Sequence, residues 1–369
     1  MKIDSFEIRK INLPLVRPFR TSFSTQLHRN LLVIKLTTKE GIVGWSECVA
    51  LSEPVYSPEY MDGALDVMQK FLIPKLFTRE EVEPEEVKGL LGNYLGTNMA
   101  RSAIETAMLD AKLRAENKSL AKFLGATKDK VECGVSVGIA SSIDKLLEEV
   151  SGYIAEGYRR IKLKIEPGWD YEPVKAVYES WPTMPLQVDA NQAYSRDDGA
   201  LLAKLDEFNL LLIEQPLDEH DILGHAQLSK QVKTPICLDE SIISVEAARD
   251  ALELKATTVI NIKPGRVGGY FESKRIHDLC VEKGIPVWCG GMLETGIGRA
   301  ANLALAALPG FTLPGDTSAS ARYYQKDVTT PFVMEDGYLK VPTAPGIGVD
   351  PDMDYLDSIT SEKILIEPS

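Results

Sequence analysis

The chain has 369 residues, more than one typical domain, and is 44% hydrophobic, ample for a core. Its formal net charge of −13 argues against general binding to nucleic acid or to anionic membranes. The opening MKIDSFEIRK lacks the apolar stretch of a signal peptide, and no apolar run could span a membrane; five scattered cysteines without a CxxC fit buried thiols in a reducing cytosol, so a cytoplasmic location is expected.

Residues 1–50 read as a β-meander, with one strand over Phe6–Leu13 and a hairpin of Asn30–Thr37 and Ile42–Cys48 around Lys39-Glu40-Gly41. Between them, the loop Arg17–Thr25 carries two exposed aromatics, Phe19 and Phe23, which either cap a local core or close over an apolar substrate. From Pro58 to about Gly125 the pattern is helical, and Asn98–Glu116 carries a core-facing stripe of Met99, Ile104, Met108, Leu109 and Leu113. Residues 1–130 are therefore expected to form an α+β domain. A repeating region follows over 131–320. The tail returns to β character: PFVMEDGYLKVP contains an Asp336-Gly337 hairpin turn whose expected partner is the N-terminal meander, so that 321–369 completes the first domain.

Within the repeating region, five apolar runs each end at a charge: RRIKLK at Lys164, LQVD at Asp189, LLIE at Glu214, ICLD at Asp239 and VINIK at Lys263. The intervals are 25, 25, 25 and 24 residues, and a sixth run, IPVWCGG, follows about one interval later. That length holds a strand, a helix and two short connections, so serial βαβ units form a parallel sheet, either a barrel or a doubly wound one. Alternation along a strand puts Lys162 and Lys164 on one face against Ile161, Leu163 and Ile165. Gln187 and Asp189 likewise oppose Val188, and Asn261 and Lys263 oppose Ile262. In a barrel the polar face points to the interior and its C-terminal mouth.

Three carboxylates crowded on consecutive strand ends repel one another unless positive charge lies between them. Asp189, Glu214 and Asp239 are thus candidate ligands of a hard divalent cation, Mg²⁺ before zinc; the alternative is three carboxylates in salt bridges. Lys162, Lys164 and Lys263 would share that interior, unless their face is outside and solvated. A lysine acting as a base near neutral pH needs a fall of roughly 3 pKa units, on the order of 4 kcal/mol, and a neighbouring ammonium or metal has the right sign. The set suits removal of a proton α to a carboxylate, with one lysine as base and a second on the opposite face to return a proton or to stabilise charge. Gly134-Val-Ser-Val-Gly138 matches G-x-S-x-G, but the run continues through Ile139 and the helix begins near Ser142, which a nucleophile elbow does not allow. None of His28, His220, His225 and His277 has a triad role. Gly265-Arg-Val-Gly-Gly269 lacks the P-loop lysine pattern and reads as a strand-to-helix turn.

On these residues the sequence resembles the enolase superfamily, in its muconate-lactonising subgroup, over essentially its full length. The resemblance is carried by K-L-K (Lys162, Lys164), V-D-A-N (Asp189, Asn191), I-E-Q-P (Glu214), L-D-E-S (Asp239) and N-I-K-P-G-R-V-G-G (Lys263). RIKLKIEPGWD, PVWCGGMLETG and LPGDTSAS look like the branch holding o-succinylbenzoate synthases and N-acylamino acid racemases. The resemblance implies a modified TIM barrel, (β/α)₇β, and an α+β capping domain built from both termini. It implies Mg²⁺, or Mn²⁺ or another divalent cation, on Asp189, Glu214 and Asp239, with Lys164 and Lys263 as the catalytic pair. Lys164 would take the α-proton and, in dehydration, return it to the departing hydroxyl while Lys263 stabilises charge; in racemisation the two would work from opposite faces. Lys162 would lie near the substrate carboxylate. Ser136, Asn191, Gly291, Met292 and Leu293 would hold a succinyl or acyl arm, and Phe19, Phe23 and Tyr56 would close over the hydrophobic end. The activity implied is o-succinylbenzoate synthesis, a hydro-lyase reaction of menaquinone biosynthesis, with N-acylamino acid racemisation beside it. Dipeptide epimerisation and muconate cycloisomerisation are the sister activities. The expected partners are a small carboxylate substrate and further copies of the chain.

Overall fold

The computed structural model describes residues 1–368. β1 (Ile3–Arg20), β2 (Thr25–Thr38) and β3 (Val43–Cys48) form an antiparallel meander. Its two faces feed two cores, which is why β2 has so little polar alternation. Leu31 and Val33 pack toward the barrel with Ile11, Leu13 and Trp45. Leu32, Ile34 and Leu36 pack with Phe6, Ile8 and the Met99–Met108 stripe of the helix Asn98–Ala115. The sheet is thus a layer between that helix and the barrel.

The approach of β3 to this helix depends on a glycine. A Cβ on Gly44 would lie 2.0 Å from the Ala107 carbonyl oxygen and 2.7 Å from the Ala111 nitrogen. Gly44→Ala should therefore destabilise the protein by about 2 kcal/mol or more, as overpacking does in a close-packed layer. Urea unfolding checks this; an unchanged midpoint would mean that the layers slide apart freely.

The loop expected over Arg17–Thr25 is shorter than its sequence suggests. β1 runs on to Arg20 and only Thr21–Ser24 turns, closed by the Thr21 N–H donating to the Ser24 carbonyl at 2.9 Å. Phe19 is buried rather than exposed and meets Tyr323 edge-on with centroids 6.4 Å apart; Phe23 is half-buried. Pairing with β2 resumes after an irregularity, at Phe19 opposite Gln26, and this turns Phe19 inward.

The tail also differs from expectation. The Asp336-Gly337 turn forms, with φ of 51° and 81°. However, the strand after it, β12 (Tyr338–Lys340), pairs antiparallel with β4 (Lys130–Glu132) and not with the meander. The Cys133 N–H and the Arg159 guanidinium both donate to the turn carbonyls, anchoring it beside the first barrel strand. The free edge of β1 is taken instead by β13 (Thr360–Ile366), from Phe6 opposite Ile366 to Ile11 opposite Thr360.

Seven strands follow one another in an all-parallel sheet: β5 (Gly134–Val137), β6 (Arg160–Lys164), β7 (Leu186–Asp189), β8 (Ile213–Glu214), β9 (Ile236–Leu238), β10 (Val259–Ile262) and β11 (Val287–Cys289). Consecutive order without reversal excludes the doubly wound sheet. Residues 311–318 fill the eighth position without regular strand geometry. Phe311 bridges to Val287 and Gly315 to Cys133, while the Asp316 N–H donates to the Cys289 carbonyl at 2.9 Å and the Gly134 N–H to the Gly315 carbonyl at 2.7 Å. This is the (β/α)₇β-type barrel with a separate capping sheet. Helices return outside it, and Ser142, Asp170, Asp221, Ser244 and Thr295 cap their starts by accepting backbone N–H bonds. No helix among the described residues is long and apolar enough to cross a membrane.

Candidate active site

Parallel pairing puts Lys164 beside Asp189 and Asp189 beside Glu214 in register, so these side chains leave one face of the sheet. Asp239 follows β9 and Lys263 follows β10 at the same end of the barrel. All are buried inside the mouth. Lys164 Nζ donates to Asp189 Oδ2 and to Asn191 Oδ1, both at 2.5 Å. Lys162 Nζ lies 2.7 Å from Asp316 Oδ2, 3.1 Å from Glu214 Oε2 and 3.2 Å from Asp189 Oδ2. Lys263 Nζ donates to Asp239 Oδ2 at 2.7 Å and to the Tyr56 hydroxyl at 3.1 Å, and sits 4.6 Å from the Tyr56 ring centroid. Arg266 pairs with the other Asp239 oxygen.

A neighbouring ammonium lowers a lysine's pKa and nearby carboxylates raise it, and at Lys162 and Lys263 the carboxylates decide. Burial does pull Lys162 down, but Asp316, Glu214 and Asp189 together outweigh it, and the group is raised. Burial also pulls Lys263 down, and the electrostatic pull of Tyr56, Glu214 and Glu240 raises it. Asp189 is pushed up by burial yet held below the usual carboxylate range by Lys164 and Lys162. Glu214 is raised by burial and by Asp189, and Glu240 is pushed up to about 7, chiefly by burial and then by Asp189. Strand parity reveals which side chains share a face, but not that every ammonium there touches a carboxylate.

Above these groups lies a cavity of about 50 Å³ lined by Phe19, Phe23, Tyr56, Ser136, Lys162, Lys164, Asn191, Lys263, Gly291, Met292 and Leu293. Thr21, Gln26, Leu51, Asp316 and Tyr323 complete the lining and were not singled out in the sequence. The acids Asp189, Glu214 and Asp239 lie beneath the lysines. The Thr21–Ser24 turn is latched over the mouth: the Ser22 hydroxyl donates to the Ala190 carbonyl at 3.1 Å, and Arg20 pairs with Glu166 at 2.8 Å. Ser136 Oγ is buried without a hydrogen-bond partner. Gly134–Val137 is strand and the next helix starts at Ile143, so there is no nucleophile elbow.

The donor set fits a hard cation in kind. Asp189, Glu214 and Asp239 offer only oxygen, and Glu240, next to Asp239, keeps Oε2 free of any hydrogen bond in a buried position. It is not a ready-made cage. Among the described residues no three acidic, histidine or cysteine side chains converge as one, because Lys162, Lys164, Lys263 and Arg266 occupy the carboxylate oxygens. The repulsion that suggested a cation is answered in this structure by the chain's own cations. The oxygen set remains the argument for a metal.

The family "Mandelate racemase / muconate lactonizing enzyme, N-terminal domain" matches residues 5–125, and "Enolase C-terminal domain-like" matches 145–355. The chain belongs to the enolase superfamily. Enzymes of this superfamily depend on a divalent metal. An N-succinylamino acid racemase from an Amycolatopsis species is 56% identical over 99% of this chain and 100% of its own length. An o-succinylbenzoate synthase from Geobacillus kaustophilus is 45% identical over 98% and 96%. A crystal structure of an enolase-superfamily member from Listeria innocua superposes with a TM-score of 0.96 at 41% identity, covering 100% of both chains.

Proposed function

We propose that this chain is an o-succinylbenzoate synthase, dehydrating SHCHC, the cyclohexadiene carboxylate precursor in menaquinone biosynthesis, and that the same site racemises N-acylamino acids, N-succinyl derivatives above all. The carrying observation is that Lys164 and Lys263 enter one cavity from β6 and from the end of β10. These strands stand four positions apart in an eight-position ring, so the two ammonium groups face a bound substrate from opposite sides. Full-length relatives with both names support the pair of activities.

Asp189, Glu214 and Asp239 would hold the cation, Mg²⁺ first. When bound, it supplies positive charge at the substrate carboxylate and lowers the cost of removing the α-proton. Lys164, aimed by Asp189 and Asn191, takes that proton in its neutral form. In dehydration it then delivers the proton to the departing hydroxyl, which leaves as water. Lys263, protonated beside Asp239, stabilises the developing charge; in racemisation it exchanges the proton on the other face. Lys162, ringed by three carboxylates, stays an ammonium and serves the substrate carboxylate. Ser136, Asn191 and Gly291–Leu293 take the succinyl or acyl arm, and Phe19, Phe23 and Tyr56 cover the apolar end.

The reading separates the two lysines. Lys263→Ala should lower racemisation by about 10³-fold or more, the scale of a lost acid–base group, and dehydration far less. Rates on SHCHC and on N-succinyl amino acids, measured for the same preparation, check this. Equal losses in both reactions would contradict the division of roles.

A further inference from the structure

A second cavity, of about 250 Å³, opens between residues 56–59, the start of the helix Asn98–Ala115, and the barrel loops at Glu219-His220 and Glu240–Ile243. Among the described residues, only Tyr56 lines both this rear cavity and the substrate pocket. The two differ in charge. Three lysines line the front, which suits an anionic substrate and repels a cation. Among the described residues the rear lining holds three carboxylates, Glu59, Glu219 and Glu240, against one guanidinium, Arg266.

Two of the charged groups in the rear wall are already engaged. Glu59 accepts from the Met99 N–H at 2.8 and 2.9 Å and from the Ala100 N–H at 3.1 Å. Arg266 is held by Asp239 and by the Ile242 carbonyl at 2.8 Å. Glu219 and Glu240 remain. Glu219 stands at the opening with a quarter of its side chain exposed, and its one ion-pair neighbour is the exposed His220 at 3.4 Å. Glu240 is 3% exposed; its Oε1 accepts from Asn191 Nδ2 at 3.0 Å, while Oε2 has no partner at all. A buried carboxylate oxygen left unpaired is costly unless it has a ligand to meet. The next residue back along the chain is Asp239.

We propose that the rear cavity is the entrance and transient binding site of the divalent cation, separate from the opening that admits the substrate. The hydrated ion meets Glu219 at the mouth, exchanges water for Glu240 Oε2, and passes to Asp239. This rests on the metal reading above and adds the path. The path avoids Lys162, Lys164 and the latched Thr21–Ser24 turn, and its last step requires Arg266 and Lys263 to release the Asp239 oxygens they hold.

Mn²⁺ is the probe, because its free-ion EPR signal disappears on binding and reports both affinity and, after rapid mixing, rate. Glu219→Gln removes the charge at the mouth. His220→Lys adds a fixed positive charge on a side chain that is 87% exposed, where folding is not at stake. Each variant should slow association about tenfold and dissociation by a similar factor, because the path changes and the final ligands do not. Unchanged association in both variants overturns the path, as does slower association accompanied by faster dissociation, which would signal a weakened final site. If the unaltered protein binds no Mn²⁺, the metal reading itself falls, a result distinct from failure of the path alone.

Discussion

Lys164→Ala should abolish dehydration and racemisation together, each by about 10³-fold or more. In the proposed mechanism Lys164 is the one lysine that exchanges the α-proton on its own face in both reactions. Its Nζ is held at 2.5 Å by one carboxylate oxygen and one amide oxygen, so the side chain is oriented before substrate arrives. Alanine removes the proposed base and leaves Lys162 with its three carboxylate partners. The loss should therefore fall on kcat, with KM little changed. Exchange into D₂O should disappear with turnover for the enantiomer whose α-proton faces Lys164. Full dehydratase activity in the variant would refute the assignment of the base.

Asp316→Ala should cost about 3–5 kcal/mol of folding stability, the scale for removing one partner of a buried ion pair. Asp316 sits in the irregular eighth barrel position and pairs on one side with Arg160 at 2.9 Å and on the other with Lys162 at 2.7 Å. Arg160 is wholly buried, so alanine would leave a guanidinium and an ammonium short of countercharge. Burial pushes the Asp316 carboxyl up, but these two cations hold it down at about 2, below its ordinary 3.8. A depressed carboxyl stabilises the fold above its unfolded pKa, and that contribution is lost as pH falls through about 2. Urea unfolding of Asp316→Ala and of the milder Asp316→Asn checks the account, and a loss under about 1 kcal/mol in the alanine variant would contradict it.

Asp316 also shows where the sequence stops being legible. The repeat exposed Lys164, Asp189, Glu214, Asp239 and Lys263 because each closes an apolar run, and strand alternation then put them on one face. The eighth position has no such run: Leu313-Pro314-Gly315 breaks the strand pattern, so alternation assigns Asp316 no face. Glu240 is hard to read for a related reason, since it lies two residues past the end of β9, where alternation says nothing. Phe19 looked exposed because a polar stretch, Arg17 to Thr25, surrounds it, and its burial comes from Tyr323, more than 300 residues away in the chain. The Asp336-Gly337 turn was readable from local chemistry, whereas its partner strand was decided by which edge was still free. The direction of the lysine shifts needed distances between facing side chains, which no one-dimensional pattern carries.

The most direct test is to incubate the purified protein with Mg²⁺, first with SHCHC and then with N-succinyl amino acids in D₂O, following product by absorbance and the α-proton by NMR. The structure predicts dehydration of the first and α-deuteration with loss of optical purity in the second, both dependent on the cation. Absence of both reactions, in a panel that also includes dipeptides and muconates, would contradict the proposed function.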